Sequence, residues 1–223
     1  MAMKAGIKQK NEIVILVHGF NNDESDMFPL KRHLDCLGYD AVTINLPLRF
    51  SALGECISSF DKQFQQILLD WEGFEKIHFV GYSMGGLIIR SFLANNTVSK
   101  LGRCVLIATP NKGTKLADLC DKLLKPLVQI YQPLKSLRTS DIEIGKPINT
   151  PPPDIGAIAG NTNKHFWGVF LDGENDGRVE VESVKCDELI DFVIKPYGHK
   201  EIHHQPEVAD LVDLFLRTGK FAI

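Results

Sequence analysis

Short apolar runs recur along the chain, and longer segments with apolar residues at helical spacing separate them. Each run has the length of a strand and is apolar on both faces, which is typical of a parallel sheet covered on both sides. The runs predict strands at 12–17, 40–45, 76–81, 103–108, 154–159 and 167–171.

The intervening segments predict helices. A first helix stops at Gly38, and residues 60–71 and 87–93 form two more, the latter apolar nearly all round. The last helix starts at Pro206 and ends before Gly219, with an acidic residue in its first turn and a basic one in its last. This alternation predicts an α/β fold with a doubly wound, mainly parallel sheet, in a single domain.

Composition and charge remove several classes of function. Hydrophobic residues make up 44% of the chain, charged residues 24%, and the formal net charge is −3, so nothing points to a nucleic-acid partner. The five cysteines are scattered without CxxC spacing, which argues against a disulfide framework or a structural zinc site. The apolar run 13–17 is too short for a signal-peptide core or a membrane span, so we expect a cytoplasmic protein without a stable membrane anchor.

The strongest chemical signal is the segment 81–86 (GYSMGG), which follows a predicted strand and opens a predicted helix. It fits the pattern G-x-S-x-G in the context of a nucleophile elbow, where a strained turn projects the hydroxyl of Ser83. Gly81 and Gly85 leave room for neighbouring backbone, and the helix N-terminus favours an oxyanion. The alternative is a glycine-rich turn with a capping serine.

A second signal ends the first strand, at His18-Gly19-Phe20. We interpret it as half of an oxyanion hole, in which the backbone N–H of Phe20 pairs with that of Met84. Gly19 lets the backbone approach the reacting carbonyl group, and His18 is interpreted as a residue that orients this loop.

In this order and on these strands, the two motifs resemble the α/β-hydrolase superfamily, above all its small bacterial lipases and esterases. The segment 107–114 (IATPNKGT) is similar to the T-P-x-x-G-[ST] stretch of many lipase-like members. The resemblance implies a minimal α/β-hydrolase fold with serine, acid and histidine in that chain order.

The implied acid lies in the segment 172–183. Asp176 looks like the family acid, because the run D-G-x-V-x-V-x-S that starts there resembles the family's D-G-x-V-x-x-x-S. Asp172 is the second choice and Glu174 the third, and an acid that is not catalytic is an ordinary turn residue.

The implied histidine lies in the loop before the last helix, which contains His199, His203 and His204. The family pattern places it some seven residues before a Pro-Glu-Val helix start, which favours His199. His203 and His204 are then capping or surface residues.

The resemblance thus implies a carboxylesterase or lipase in which Ser83 is the nucleophile, His199 the general base and Asp176 its orienting carboxylate. This mechanism needs no metal ion and no organic cofactor. A thioesterase or an acyltransferase would use the same triad, and a non-catalytic α/β-hydrolase binding module is a further alternative.

Residues 111–153 fall where the family inserts a cap within the single domain 1–223. The apolar stretch 116–137 is broken by Pro126 and Pro133 and predicts two short helices. As a lid or an acyl pocket, they would favour a small ester with an apolar acyl group. The alternative is an excursion helix packed on the sheet.

Overall fold

One parallel sheet forms the centre of the protein. The computed structural model describes residues 10–71, 73–113, 153–163, 168 and 171–222. Within these residues, six strands pair in the order β2-β1-β3-β4-β5-β6, and every neighbouring pair is parallel. The strands are β1 Glu12–Val17, β2 Asp40–Ile44, β3 Lys76–Tyr82, β4 Leu101–Ile107, β5 Ile155–Gly160 and β6 Leu189–Lys195.

Helices cover both faces of this sheet, because successive strand residues point to opposite sides. Ile13 and Ile15 of β1 belong to one apolar core, and Val14 and Leu16 belong to the other. The described helices are α1 Phe28–Cys36, α2 Leu53–Asp70, α3 Met84–Asn95, α4 Val181–Val184 and α5 Pro206–Thr218. Helices α2 and α3 pack in the first core, and α1 and α5 pack in the second.

The predicted fold class is confirmed, since an all-parallel sheet lies between layers of helices. Five predicted strands agree with the observed ones to within two residues at each end. Gly219 ends α5 in the left-handed conformation, with φ of 78°, and its N–H donates to the Phe215 carbonyl oxygen. Helix α2 begins at Leu53, well before the predicted start at 60. The predicted cap helices at 116–137 lie outside the described residues.

The prediction of a strand at 167–171 is wrong for the residues of it that are described. Gly168 and Leu171 belong to no strand, and the Leu171 N–H instead donates to the Gly168 carbonyl oxygen in a turn. The sixth strand is β6, whose sequence LIDFVIK mixes apolar and charged residues. It lies at the edge of the sheet and is only partly buried, so it lacks the continuous apolar run that marks the inner strands.

The carboxyl ends of the six strands meet at one edge of the sheet. The chain leaves β1 toward β2 on one side and returns with β3 on the other, so a topological switch lies between β1 and β3. Open α/β sheets bind their ligands at such a point. Within the described residues, no helix is both long enough and apolar enough to cross a membrane.

Candidate active site

Ser83 occupies a sharp turn between β3 and α3. Its backbone has φ of 51° and ψ of −121°, a conformation that is strained for a residue with a side chain. The two flanking glycines allow this turn. A Cβ atom on Gly81 would lie 2.5 Å from Gly86 Cα, and one on Gly85 would lie 2.3 Å from the Val17 carbonyl oxygen. The glycines therefore let the elbow lie directly against β1.

Ser83, His199 and Asp176 form one line of hydrogen bonds. Ser83 Oγ lies 3.0 Å from His199 Nε2, and His199 Nδ1 lies 2.7 Å from Asp176 Oδ2. The second carboxylate oxygen, Oδ1, accepts from the backbone N–H groups of Arg178 and Val179 at 3.0 and 2.8 Å. All three side chains are buried, with residue exposures of 8%, 3% and 1% in the order named. This arrangement can move a proton from the hydroxyl group to the imidazole.

The loop that carries His199 is held from two sides. The His199 N–H donates to the backbone carbonyl oxygen of Asp176 at 2.9 Å, and the Tyr82 hydroxyl group donates to the His199 carbonyl oxygen at 2.8 Å. Tyr82 is buried, and burial raises the pKa of its hydroxyl group, so it remains a donor. Nothing in the local sequence pattern marks Tyr82 for this role, although it directly precedes Ser83.

The other predicted candidates do not join this line. Asp172 and Glu174 are exposed turn residues. His203 and His204 each direct Nε2 toward Asp26, at 2.9 and 3.2 Å from its carboxylate oxygens. Among the three histidines of the loop, only His199 contacts both the serine and Asp176.

The loop after β1 passes against the elbow. A Cβ atom on Gly19 would lie 3.0 Å from the Tyr82 ring and 3.1 Å from Ser83 Cβ, which is a tight fit. Phe20 follows on this loop and lines the cleft above Ser83. Met84 is the first residue of α3, so its N–H belongs to the helix turn that has no acceptor within the helix.

His18 is a buried link within this loop. Its Nε2 accepts from the Leu46 N–H at 2.9 Å, so the ring proton resides on Nδ1 and donates to the Gly19 carbonyl oxygen, also at 2.9 Å. Burial lowers the pKa of His18, which favours the neutral form that this pattern requires. These contacts fix the backbone next to Phe20.

A cleft of about 350 Å³ opens above the serine. Its described lining includes two aromatic residues and several polar or charged ones: Phe20, Tyr82, Asn21, Asn22, Asp26, Arg178 and Lys200, around Ser83 and His199. Within the described chain, Asp26, His203 and His204 form the group whose side chains have the spacing to hold a metal ion.

An all-parallel sheet with helices on both faces, and a serine elbow after its third strand, define an α/β hydrolase. The family model for the alpha/beta hydrolase fold matches residues 12–129, and the chain belongs to this family. None of the curated proteins matches the chain significantly.

Several solved structures of lipases and esterases are similar to the protein. The mature form of the Bacillus licheniformis lipase BlEst2 superposes with a TM-score of 0.80 at 22% identity, covering 96% of this chain and 94% of that one. The metagenomic carboxyl esterase MGS0156 gives 0.71 at 14%, with 87% and 66% covered. A thermophilic esterase from Thermogutta terrifontis gives 0.59 at 17%, with 96% and 91% covered. At these identities, the likeness shows the fold.

Proposed function

We propose that the protein hydrolyses carboxylic esters through a covalent acyl-enzyme on Ser83. The observation that carries this proposal is the line of short contacts from Ser83 Oγ through His199 to Asp176 at the floor of a cleft. The hydrogen-bonding partners of each ring nitrogen match what a general base needs, with Nε2 toward the nucleophile and Nδ1 toward a carboxylate. The lipases and esterases among the similar structures support the same reaction class.

In the first step, His199 Nε2 takes the proton of the Ser83 hydroxyl group while Oγ attacks the ester carbonyl carbon. The carbonyl oxygen becomes an oxyanion, which the backbone N–H groups of Phe20 and Met84 stabilise. Each such donor lowers the barrier by about 3 kcal/mol. Asp176 remains ionised and stabilises the imidazolium that forms on His199.

In the second step, the imidazolium gives its proton to the leaving alcohol as the tetrahedral intermediate collapses to the acyl-enzyme. Water then enters, His199 takes one of its protons, and the hydroxide attacks the acyl carbon. The imidazolium then protonates Ser83 Oγ as the second tetrahedral intermediate collapses and the acid is released. The proton that the serine lost leaves with the alcohol, and one from water replaces it.

Labelling with a fluorophosphonate probe tests the nucleophile. We expect the wild type to take up one label per chain, Ser83→Ala to take up none, and Ser58→Ala to label like the wild type. Ser58 is a suitable control because it lies on the exposed face of α2 and donates only within that helix, to the Gly54 carbonyl oxygen. Equal labelling of Ser83→Ala and the wild type would overturn the proposal.

The choice of base is tested by replacing His199 and His203 separately. Removal of the base costs on the order of 10³-fold or more in kcat, so His199→Ala should lose nearly all turnover of p-nitrophenyl butyrate. His203→Ala should retain it within about tenfold once folding has been verified by circular dichroism. Near wild-type turnover by His199→Ala, with loss in His203→Ala, would show that the base is His203 and not His199.

For the substrate, we propose an ester with an apolar acyl group. The apolar stretch 116–137 supports this proposal from sequence, whereas the described wall of the cleft is largely polar. A series of p-nitrophenyl esters from acetate to palmitate measures the preference directly. We expect kcat/KM to rise beyond acetate, and a steady fall from acetate onward would contradict the apolar pocket. Thioesters with the same acyl groups test the thioesterase alternative.

A further inference from the structure

Two short turns beside the active site bring together a second group of ligating side chains. Asp26 lies in the 3₁₀ turn Glu24–Met27, and His203 and His204 lie in the 3₁₀ turn Ile202–His204. One ligand atom from each residue can be chosen so that all lie within 4.8 Å of one another. His203 Nε2 lies 2.9 Å from Asp26 Oδ2, and His204 Nε2 lies 3.2 Å from Asp26 Oδ1 and 3.0 Å from the Asp26 carbonyl oxygen.

These separations match the spacing of donors around a tetrahedral metal ion. Zinc binds imidazole nitrogen and carboxylate oxygen at about 2.0–2.2 Å, so its ligand atoms lie roughly 3.3 Å apart. The two nitrogen–oxygen distances, 2.9 Å to Asp26 Oδ2 and 3.2 Å to Asp26 Oδ1, are within about 0.4 Å of that value, and the three chosen ligand atoms lie within 4.8 Å of one another. Two imidazoles and one carboxylate also suit zinc and its neighbours better than magnesium or calcium, which prefer oxygen ligands.

The site is rigid on one side and open on the other. His203 is only 1% exposed, and its ring stacks on Tyr82 with centroids 3.6 Å apart and an interplanar angle of 16°. The His204 side chain is 37% exposed, and Asp26 lines the cleft that contains Ser83. An ion can therefore enter from solvent and meet a ligand that is already oriented.

We propose that Asp26, His203 and His204 bind one Zn²⁺ or similar divalent transition-metal ion at the mouth of the cleft, with water as the fourth ligand. The ion takes the place of the ring protons that now bridge each Nε2 to Asp26. His203 Nδ1 has no hydrogen-bond partner among the described residues. When a metal ion binds Nε2, the ring proton of His203 moves to Nδ1, which stays without a partner. Metal binding therefore does not increase the number of buried polar atoms without a hydrogen bond.

The metal ion would inhibit ester hydrolysis, a consequence that rests on the proposed function. Tyr82 stacks on His203 and also donates to the His199 carbonyl oxygen, so both imidazoles lie close to the same ring, with centroids 3.6 and 5.3 Å from its centroid. A dication bound to His203 disfavours, by repulsion of like charges, the imidazolium that forms on His199 during acyl transfer. We expect saturating Zn²⁺ to lower kcat severalfold in the wild type and to have little effect in His204→Ala.

Binding is tested by calorimetric titration of ZnCl₂ into the untagged full chain carrying Cys36→Ser, since Cys36 is an exposed free thiol. We expect one Zn²⁺ per chain, with affinity at least tenfold weaker in Asp26→Asn and in His204→Ala. His33→Ala is the matched control, because His33 forms a separate surface pair with Asp210 at 2.7 Å. Co²⁺ should give the intense visible absorption of a four-coordinate site.

Three results would overturn the proposal: no stoichiometric Zn²⁺ binding, affinity unchanged in His204→Ala, or an equal loss in His33→Ala. His204 is partly exposed, so its variant tests the site even where Asp26→Asn fails to fold. Repeating the titration with Ser83→Ala separates the two proposals. That variant should bind Zn²⁺ normally whether or not Ser83 is the nucleophile.

Discussion

Replacement of Asp176 by asparagine tests the orientation of the proposed base with almost no change in shape. In the structure, Asp176 Oδ1 accepts two backbone N–H groups, from Arg178 and Val179, while Oδ2 faces His199 Nδ1. An asparagine side chain has one carbonyl oxygen, which can take the place of either Oδ1 or Oδ2 but not of both. The two N–H groups require the oxygen, so the amide NH₂ must face Nδ1. The imidazole then carries its proton on Nε2, toward Ser83, where it cannot act as a base.

The size of the effect follows from the cost of the opposite orientation. Turning the amide so that its oxygen faces Nδ1 leaves two largely buried backbone N–H groups against an NH₂ group. Each unsatisfied donor costs about 1–3 kcal/mol, so the productive state lies roughly 2–6 kcal/mol higher. At 1.36 kcal/mol per tenfold in rate, we expect kcat to fall by about 30-fold to about 25,000-fold. Thermal stability should change much less, because the inactive orientation keeps both backbone hydrogen bonds.

Initial rates with p-nitrophenyl butyrate at pH 7.5, together with thermal unfolding of each protein, measure both effects. Asp172→Asn is the matched control, because Asp172 lies in the same segment, is exposed, and was the second candidate for the acid. Its activity should remain within about twofold of the wild type, as expected for a surface substitution. Activity of Asp176→Asn within tenfold of the wild type, or a large loss in Asp172→Asn, would refute the reasoning.

Three further predictions concern the residues that support the site and the core. Tyr82→Phe removes the hydrogen bond to the His199 carbonyl oxygen, so we expect kcat to fall about tenfold with little change in KM, measured by ester kinetics. Gly85→Ala should lower the free energy of unfolding by about 3 kcal/mol or more, because the new Cβ would lie 2.3 Å from a backbone oxygen of β1. In the control Gly54→Ala, the new Cβ would have no heavy atom within 4 Å, so the free energy of unfolding should stay the same or rise slightly. Burial lowers the pKa of His78 to about 4 from 6.5. The unfolded chain therefore binds more protons between these values, and His78 should cost about 3 kcal/mol of stability as the pH falls from 7 to 4.

Each of these three predictions has a result that would contradict it. Unchanged kcat in Tyr82→Phe would remove Tyr82 from the support of the base, and equal stability of the two alanine variants would contradict the tight fit at Gly85. For His78, the comparison is with His78→Asn, whose amide oxygen can still accept the Arg103 N–H that His78 Nδ1 now accepts. Equal pH dependence of urea unfolding in the two proteins would exclude His78 as its source.

The fold and the nucleophile turn are predictable from sequence because their determinants are local. The inner strands are apolar on both faces, and the elbow combines a strand, a tight turn with glycines and a helix within a few residues. Strand β6 could not be predicted in the same way. Among the described strands it pairs with β5 alone. It carries two charged residues, Asp191 and Lys195, and all seven of its residues are partly or fully exposed, so its place in the sheet depends on tertiary pairing.

Tyr82 illustrates a second kind of residue that the pattern alone does not explain. From sequence, it is one more apolar residue at the end of a buried strand. Its hydroxyl group becomes informative only when the loop after β6 folds back and presents the His199 carbonyl oxygen at 2.8 Å. The same contact cannot be found from spacing, because it joins residues 117 positions apart.

The two histidines of that loop differ in a property that no sequence pattern carries. His199 and His203 are both buried, and each lies within 3 Å of an aspartate, Asp176 or Asp26. What separates them is the ring nitrogen that meets the carboxylate. His199 offers Nδ1 to Asp176 and keeps Nε2 for Ser83, as a base for the serine must. His203 uses Nε2 on Asp26, and its buried Nδ1 has no hydrogen-bond partner among the described residues, so neither of its nitrogens contacts the serine.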